Sequence, residues 1–433
     1  MIAAALLSTT LSCGTSSINE RDKIHSPQKS EANYRASSDH TGNYGEEQFE
    51  FPAAIKWKFF NTSKGVISSP VVSNNTLYFG SFDRYLYALD ATNGNGIWRF
   101  RSAGSIVVSP VVDNGEVYFG SMDGSFYSLN QVTGGKLWSF QTAAKQDAKG
   151  NFSDQEGPIS SATDVKETEL NQITYRLSQT EGMVSSDGIL PDKGISSTPV
   201  IDNGIIYFGT FGNRLYALNA ANGKEVWEFR TNYEINFSPA VSNGIVYFST
   251  GSHLIALDAA TGKKKWERPI ANGVGASPVI AGGIVLYDDG VHLLALEAKT
   301  GQDKWSVEVG NEYGPDGGVS VKDGMVFLGN DQKFQALDLT TGKQVWENDS
   351  IRPASTGIPP AIAGNCVYFI DLAGNIDSLD SRTGQINGRF KIQDGFDPKW
   401  KTATIMSISN GVIYLGSMNG NVYAIQGGSS ANV

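Results

Sequence analysis

Apolar residues in this chain fall in short runs of strand length, separated by turns rich in Gly, Asn and Asp. The stretch Ser197 to Phe229 shows the pattern once in full. Pro199–Ile201, Ile205–Gly209, Leu215–Leu218 and a last segment holding Trp227 and Phe229 are rich in Val, Ile, Tyr, Phe or Leu, too short for helices and right for strands. Asn203-Gly204 and Asn222-Gly223 tolerate positive φ and suit tight hairpins. The unit predicts a four-stranded antiparallel sheet. A single such sheet has two apolar faces, so it must stack against copies of itself.

The copies are present. Tryptophans of the fourth-strand type lie at Trp57, Trp98, Trp138, Trp227, Trp266, Trp305 and Trp346, spaced by 41, 40, 89, 39, 39 and 41 residues. They are expected to pack between neighbouring sheets. The long interval holds an insertion, 143–194, between the second and third repeats, in which Asp164 and Glu167 could cap a short helix, while Thr174 and Tyr175 also allow a hairpin. Second strands recur eight times, from Tyr78-Phe79 to Tyr414-Leu415. The eighth copy stops after three strands, and Ile55-Lys56-Trp57-Lys58-Phe59 at the other end matches a fourth strand. The expected fold is all-β: an eight-bladed β-propeller of four-stranded antiparallel blades over 53–427, closed by the N-terminal strand completing the C-terminal blade. In the seventh copy Gly388 stands where the others carry Trp, which predicts different packing at that blade's outer edge.

Outside the array, residues 1–13 are a short apolar stretch ending at Cys13, and 428–433 form a tail. The first segment is similar to the end of a bacterial lipoprotein signal, with Cys13 as the lipidated residue; secretion without lipid is the alternative. Residues 14–52, with His25 and His40, are polar and predict a flexible tether. Cys366, just after a Gly-Asn turn, is expected to be a small buried side chain.

Composition then narrows function. A net charge of -10 argues against nucleic acid, and no run reaches the roughly 18 apolar residues of a membrane span. No Ser lies in a nucleophile elbow. His253 and His292 are one period apart and are expected to open the third strands of blades four and five. Such a pair could hold a metal or serve as acid and base on an acidic polysaccharide; a tolerant, partly exposed position is the other reading. The same ring face is expected to collect Tyr233, Phe237, Tyr313, Phe396 and Trp400, either as a docking surface for a peptide or glycan or buried beneath the insertion.

The segments LYALDATNGNGIWRF, LIALDAATGKKKWE and QALDLTTGKQVWE resemble the tryptophan-docked propellers with pyrroloquinoline-quinone (PQQ)-type repeats, over about 370 residues. That resemblance implies either a quinone dehydrogenase, with PQQ and calcium in the central channel, or a BamB-type envelope lipoprotein without a cofactor. Dehydrogenases of this family typically carry an adjacent cysteine pair, and this chain has only Cys13 and Cys366. The expectation is therefore a non-enzymatic scaffold in the bacterial cell envelope, held by a lipid anchor alone and binding a protein partner, with no cofactor. A PQQ dehydrogenase or a polysaccharide-binding or -degrading propeller is the alternative.

Overall fold

The computed structural model describes residues 34–46, 49–51, 53–60, 65–143, 193–270, 276–309, 318–330, 332–353, 358–371, 373–392, 404–417 and 419–428. Cys13, Tyr313, Phe396, Trp400 and the body of the insertion lie outside these residues. Eight four-stranded antiparallel sheets are present. Their three-residue first strands, such as Val71–Ser73 in blade 1 and Ser407–Ser409 in blade 8, approach one another in sequence order, and the last returns to the first. The sheets therefore form a closed ring around a central channel, with the first strands innermost.

Seven blades are continuous in sequence, and the eighth is not. Its inner strands are Ser407–Ser409, Val412–Gly416 and Asn421–Gly427, and its outer strand is Ala53–Phe60, paired antiparallel from Ala53↔Gly427 to Phe60↔Asn421. The N-terminal strand closes the ring, as the sequence predicts.

One lock holds each blade to the next. Trp98 Nε1 donates to the Gln131 carbonyl of blade 2 at 3.0 Å, and the buried Tyr78 hydroxyl donates to the same oxygen at 3.3 Å. The indole lies flat on the turn glycine: a Cβ on Gly94, Gly134, Gly223, Gly262, Gly301, Gly342 or Gly384 would come within 2.8 Å of the Trp of the preceding blade. Those glycines also have φ near +70°, so the Thr-Gly or Asn-Gly turn requires Gly twice over. Ring closure uses the same lock, with Trp57 and Tyr414 both donating to Ala91 O. Trp57, Trp98, Trp138, Trp227, Trp266, Trp305 and Trp346 each donate the indole N–H to a backbone carbonyl of the next blade at 2.9–3.0 Å.

Blade 7 departs from the rule for a reason visible in its neighbour. The third and fourth strands of blade 8 come from opposite ends of the chain, so no Thr-Gly turn exists there to receive a Trp. Phe49 and Phe51, the lead into the N-terminal strand, fill the space. Phe51 lies 2.3 Å from where a Cβ on Gly388 would be, and Tyr368 donates to Phe49 O at 2.8 Å in place of a turn carbonyl. Cys366 is buried in the same blade, as expected.

The tether expectation over 14–52 needs correction in its second half. Residues 37–46 and 49–51 pack on the propeller: Phe49 and His40 are buried, and the segment makes a series of backbone hydrogen bonds described below. Its polar composition conceals this because the bonds use main-chain groups, which every sequence carries. Among the described residues no helix is long and apolar enough to cross a membrane.

Candidate functional site

In each first strand the end residues pair with the second strand, so the middle residue turns its N–H toward the channel. In four consecutive blades this N–H is taken by the chain's own N-terminal segment. Val241, Ile280, Val321 and Ile362 donate to the carbonyls of Ser38, Asp39, Thr41 and Gly42 at 2.8–2.9 Å. The segment is a compact loop, with Gly42 N bonded to Arg35 O, and it lies along the channel wall from blade 4 to blade 7. Gly42 has φ +70°, and a Cβ there would strike Ser320 Oγ at 2.4 Å. The Tyr44 hydroxyl reaches Met406 O of blade 8 at 2.8 Å. Lys322 Nζ then fastens the exit, donating to Gly364 O at 2.7 Å and to Glu46 at 3.1 Å.

A second series of bonds runs along the inner strands from blade 8 to blade 5. In blades 1 to 5 the hydroxyl just before the first-strand proline accepts the backbone N–H of the preceding blade: Ile405 to Ser69, Ser69 to Ser109, Ser109 to Thr198, Thr198 to Ser238 and Ser238 to Ser277, at 2.9–3.2 Å. Blades 6, 7 and 8 have Gly318, Pro359 and Ile405 at this position. Arg35 crosses at blade 6 and donates to Val319 O. The repeated Ser-Pro and Thr-Pro dipeptides are the sequence signal of this series.

His40 sits wholly inside this strap. Burial, reinforced by the Arg35 charge, lowers its pKa from 6.5 to about 3, against a hydrogen bond to the Pro278 backbone. The folded-state value is depressed, so the stabilising contribution is complete above pH 6.5 and is lost as pH falls toward 3. Each pH unit below 6.5 costs about 1.4 kcal/mol. Denaturation at pH 5 should show about 2 kcal/mol less stability than at pH 7.5 from this group. The partly buried Asp39 titrates nearby, so comparison with His40→Gln, which should lose that part of the slope, isolates the histidine. An identical slope in both proteins contradicts the assignment.

On the ring face that carries the connections between blades, His253 and His292 do open the third strands of blades 4 and 5. Each is engaged within its own blade. His253 Nε2 lies 3.9 Å from Glu267 with Nδ1 on Ser252 Oγ at 2.8 Å, and His292 Nδ1 lies 3.6 Å from Asp289. No hydrogen bond or ion pair joins the two histidines. No cluster of three metal-ligating side chains occurs among the described residues. Tyr233 is 52% exposed on the connection into blade 4, and Phe237 on the same connection is half-buried. The insertion leaves this face from a closed stem: Thr142 Oγ1 donates to Lys193 O at 2.7 Å, and Ala143 N donates to the Tyr216 hydroxyl at 3.1 Å.

The strap lies beside the inner strands of blades 4–7, and the chain has no adjacent cysteine pair.

Comparison with known proteins agrees on the architecture. The sequence profile of a PQQ-repeat family described as outer membrane protein assembly factor BamB matches residues 44–165, 167–312 and 267–428. No curated protein sequence matches. Among solved structures, BamB from Moraxella catarrhalis is similar with a TM-score of 0.59 at 15% identity, over 88% of this chain and 99% of that one. A quinohemoprotein alcohol dehydrogenase from Comamonas testosteroni is similar at 0.65 and 13%, over 92% and 80% of the two chains. A europium-containing methanol dehydrogenase is similar at 0.64 and 13%, over 90% and 97%. At these identities the solved structures establish the propeller and not its activity. The profile matches cover the blades from the N-terminal closing strand to the end of blade 8, and the chain belongs to the BamB-type family of PQQ-repeat propellers.

Proposed function

We propose that this protein is a binding or assembly platform of the bacterial cell envelope, anchored by a lipid on Cys13, with a protein partner and no cofactor. The observation that carries the reading is the strap. A channel lined by four inner-strand N–H groups already bonded to residues 38–42 is built for rigidity rather than for holding a quinone. Recognition then falls to the outer surfaces, where Tyr233 stands exposed and the insertion is rooted.

Photo-crosslinking in intact envelopes tests this reading. A photoreactive residue replacing Tyr233 in the full chain should give a discrete protein adduct. Absence of any adduct there and at Phe237 contradicts a docking role for that face. The mass of the N-terminal peptide isolated from membranes tests the lipid on Cys13.

A further inference from the structure

The outer strands divide the rim into two halves of different charge. In blades 7, 8, 1 and 2 these strands are Ile386–Lys391, Ala53–Phe60, Gly96–Arg101 and Lys136–Gln141; they hold seven Lys and Arg and no Asp or Glu. In blades 3 to 6 the outer strands hold five basic and six acidic residues. The position after the docking Trp shows the division most plainly. It is Lys58 in blade 8 and Arg99 in blade 1, with Arg389 at the matching place in blade 7, against Glu228, Glu267 and Glu347 in blades 3, 4 and 6.

Pairing follows the same division. Every basic residue on the outer strands of blades 3–6 is ion-paired with a carboxylate. In the basic half Arg389 is committed to the buried Asp377. Lys56, Arg99, Arg101, Lys136 and Lys391 have no ion pair among the described residues, and the two arginines lie over the Tyr85 ring. Exposed apolar side chains are set among these cations: Ile97 at 50%, Leu137 at 51% and Val132 at 77%. Lysines on free sheet edges commonly guard against edge pairing. That role would require them on every blade and gives no reason for confining them to half of the ring in a chain whose net charge is -10.

We propose that the rim of blades 7, 8, 1 and 2 is a docking surface for an acidic polypeptide with interspersed apolar residues. Four of eight outer strands span half the circumference of a convex rim, whereas a flat bilayer meets such a wall over one or two blades. A polypeptide can follow the curve, placing carboxylates on the free cations and apolar side chains on Ile97 and Leu137, with unpaired strand edges available to its backbone. The proposal deepens the platform reading by naming the partner's chemistry.

The test uses the full chain and a random copolymer of glutamate and tyrosine, with binding followed by fluorescence anisotropy. The copolymer should bind at low salt and weaken as salt rises. R99E/R101E/K136E should bind roughly tenfold more weakly or worse, and K264E/K265E should change affinity by less than about twofold. R99A/R101A, which introduces no repulsion, keeps the test valid if the triple variant unfolds. Absence of binding at low salt, equal loss in both sets, preferential binding of phosphatidylglycerol vesicles, or a self-association removed by R99E/R101E would each overturn the proposal. Crosslinks at Tyr233 that persist after such a result leave the platform reading standing without this rim.

Discussion

Removing residues 53–60 should abolish the cooperative unfolding transition of the whole propeller. Ile55 packs on the core between blades 7 and 8, while Trp57 and Phe59 pack on Leu77, Phe79 and Tyr87 of blade 1. Phe59 meets Phe79 and Tyr87 edge-on at 5.9 and 5.6 Å, and Trp57 makes the ring-closing bond to Ala91. Partly burying three such side chains contributes several kcal/mol, under the roughly 5–9 kcal/mol that full burial would give, and still a large share of the margin of a folded domain, about 5–15 kcal/mol. The loss is larger than the area implies because it also opens an edge along Asn421–Gly427. Trp57→Ala alone should cost about 2–4 kcal/mol, less than a fully buried Trp because the indole is half-exposed. An unchanged melting transition in the deletion would refute closure by this strand.

Giving blade 7 the tryptophan that the other blades carry should destabilise the protein. By consensus Gly388→Trp repairs a defect; by geometry it places an indole where the Phe51 ring already lies. Overpacking of this kind costs about 1–3 kcal/mol. Displacing Phe51 also disturbs its edge-to-face contact with Phe49, centroids 5.3 Å apart, and through Phe49 the acceptor of Tyr368. The expected total is about 2–4 kcal/mol. In denaturant titrations, F51A/G388W should be less destabilised than the sum of the single variants by about 1 kcal/mol or more, since the two side chains compete for one space. Additive costs, or a gain in stability from Gly388→Trp, would show that Phe51 is no surrogate for the missing turn.

What the sequence discloses here depends on whether a contact is made by side chains in a fixed period or by backbone. The tryptophan spacing reveals seven blade locks, and the Ile55 to Phe59 motif reveals the closure, because each lock is a repeated side-chain event. Gly388 is visible as a break in the repeat, but its replacement lies at the far end of the chain, where Phe49 and Phe51 follow no period. The strap is invisible for a stronger reason. Ser38, Asp39, Thr41 and Gly42 bind through their carbonyls, so a polar segment that resembles a tether is ordered by groups it shares with every other segment. His253 and His292 show the opposite failure: the period places them correctly, yet Glu267 and Asp289, one within each blade, decide what they touch. The rim charge lay in plain view at the position after each tryptophan, hidden by a net charge of the other sign.

The proposed platform keeps residues 38–42 bonded along the inner strands of blades 4 to 7 and takes up no quinone. Equilibrium dialysis of the full chain against pyrroloquinoline quinone, with and without calcium, tests it most directly. No binding at micromolar quinone in either condition is the predicted result. Stoichiometric, calcium-dependent binding would contradict the account.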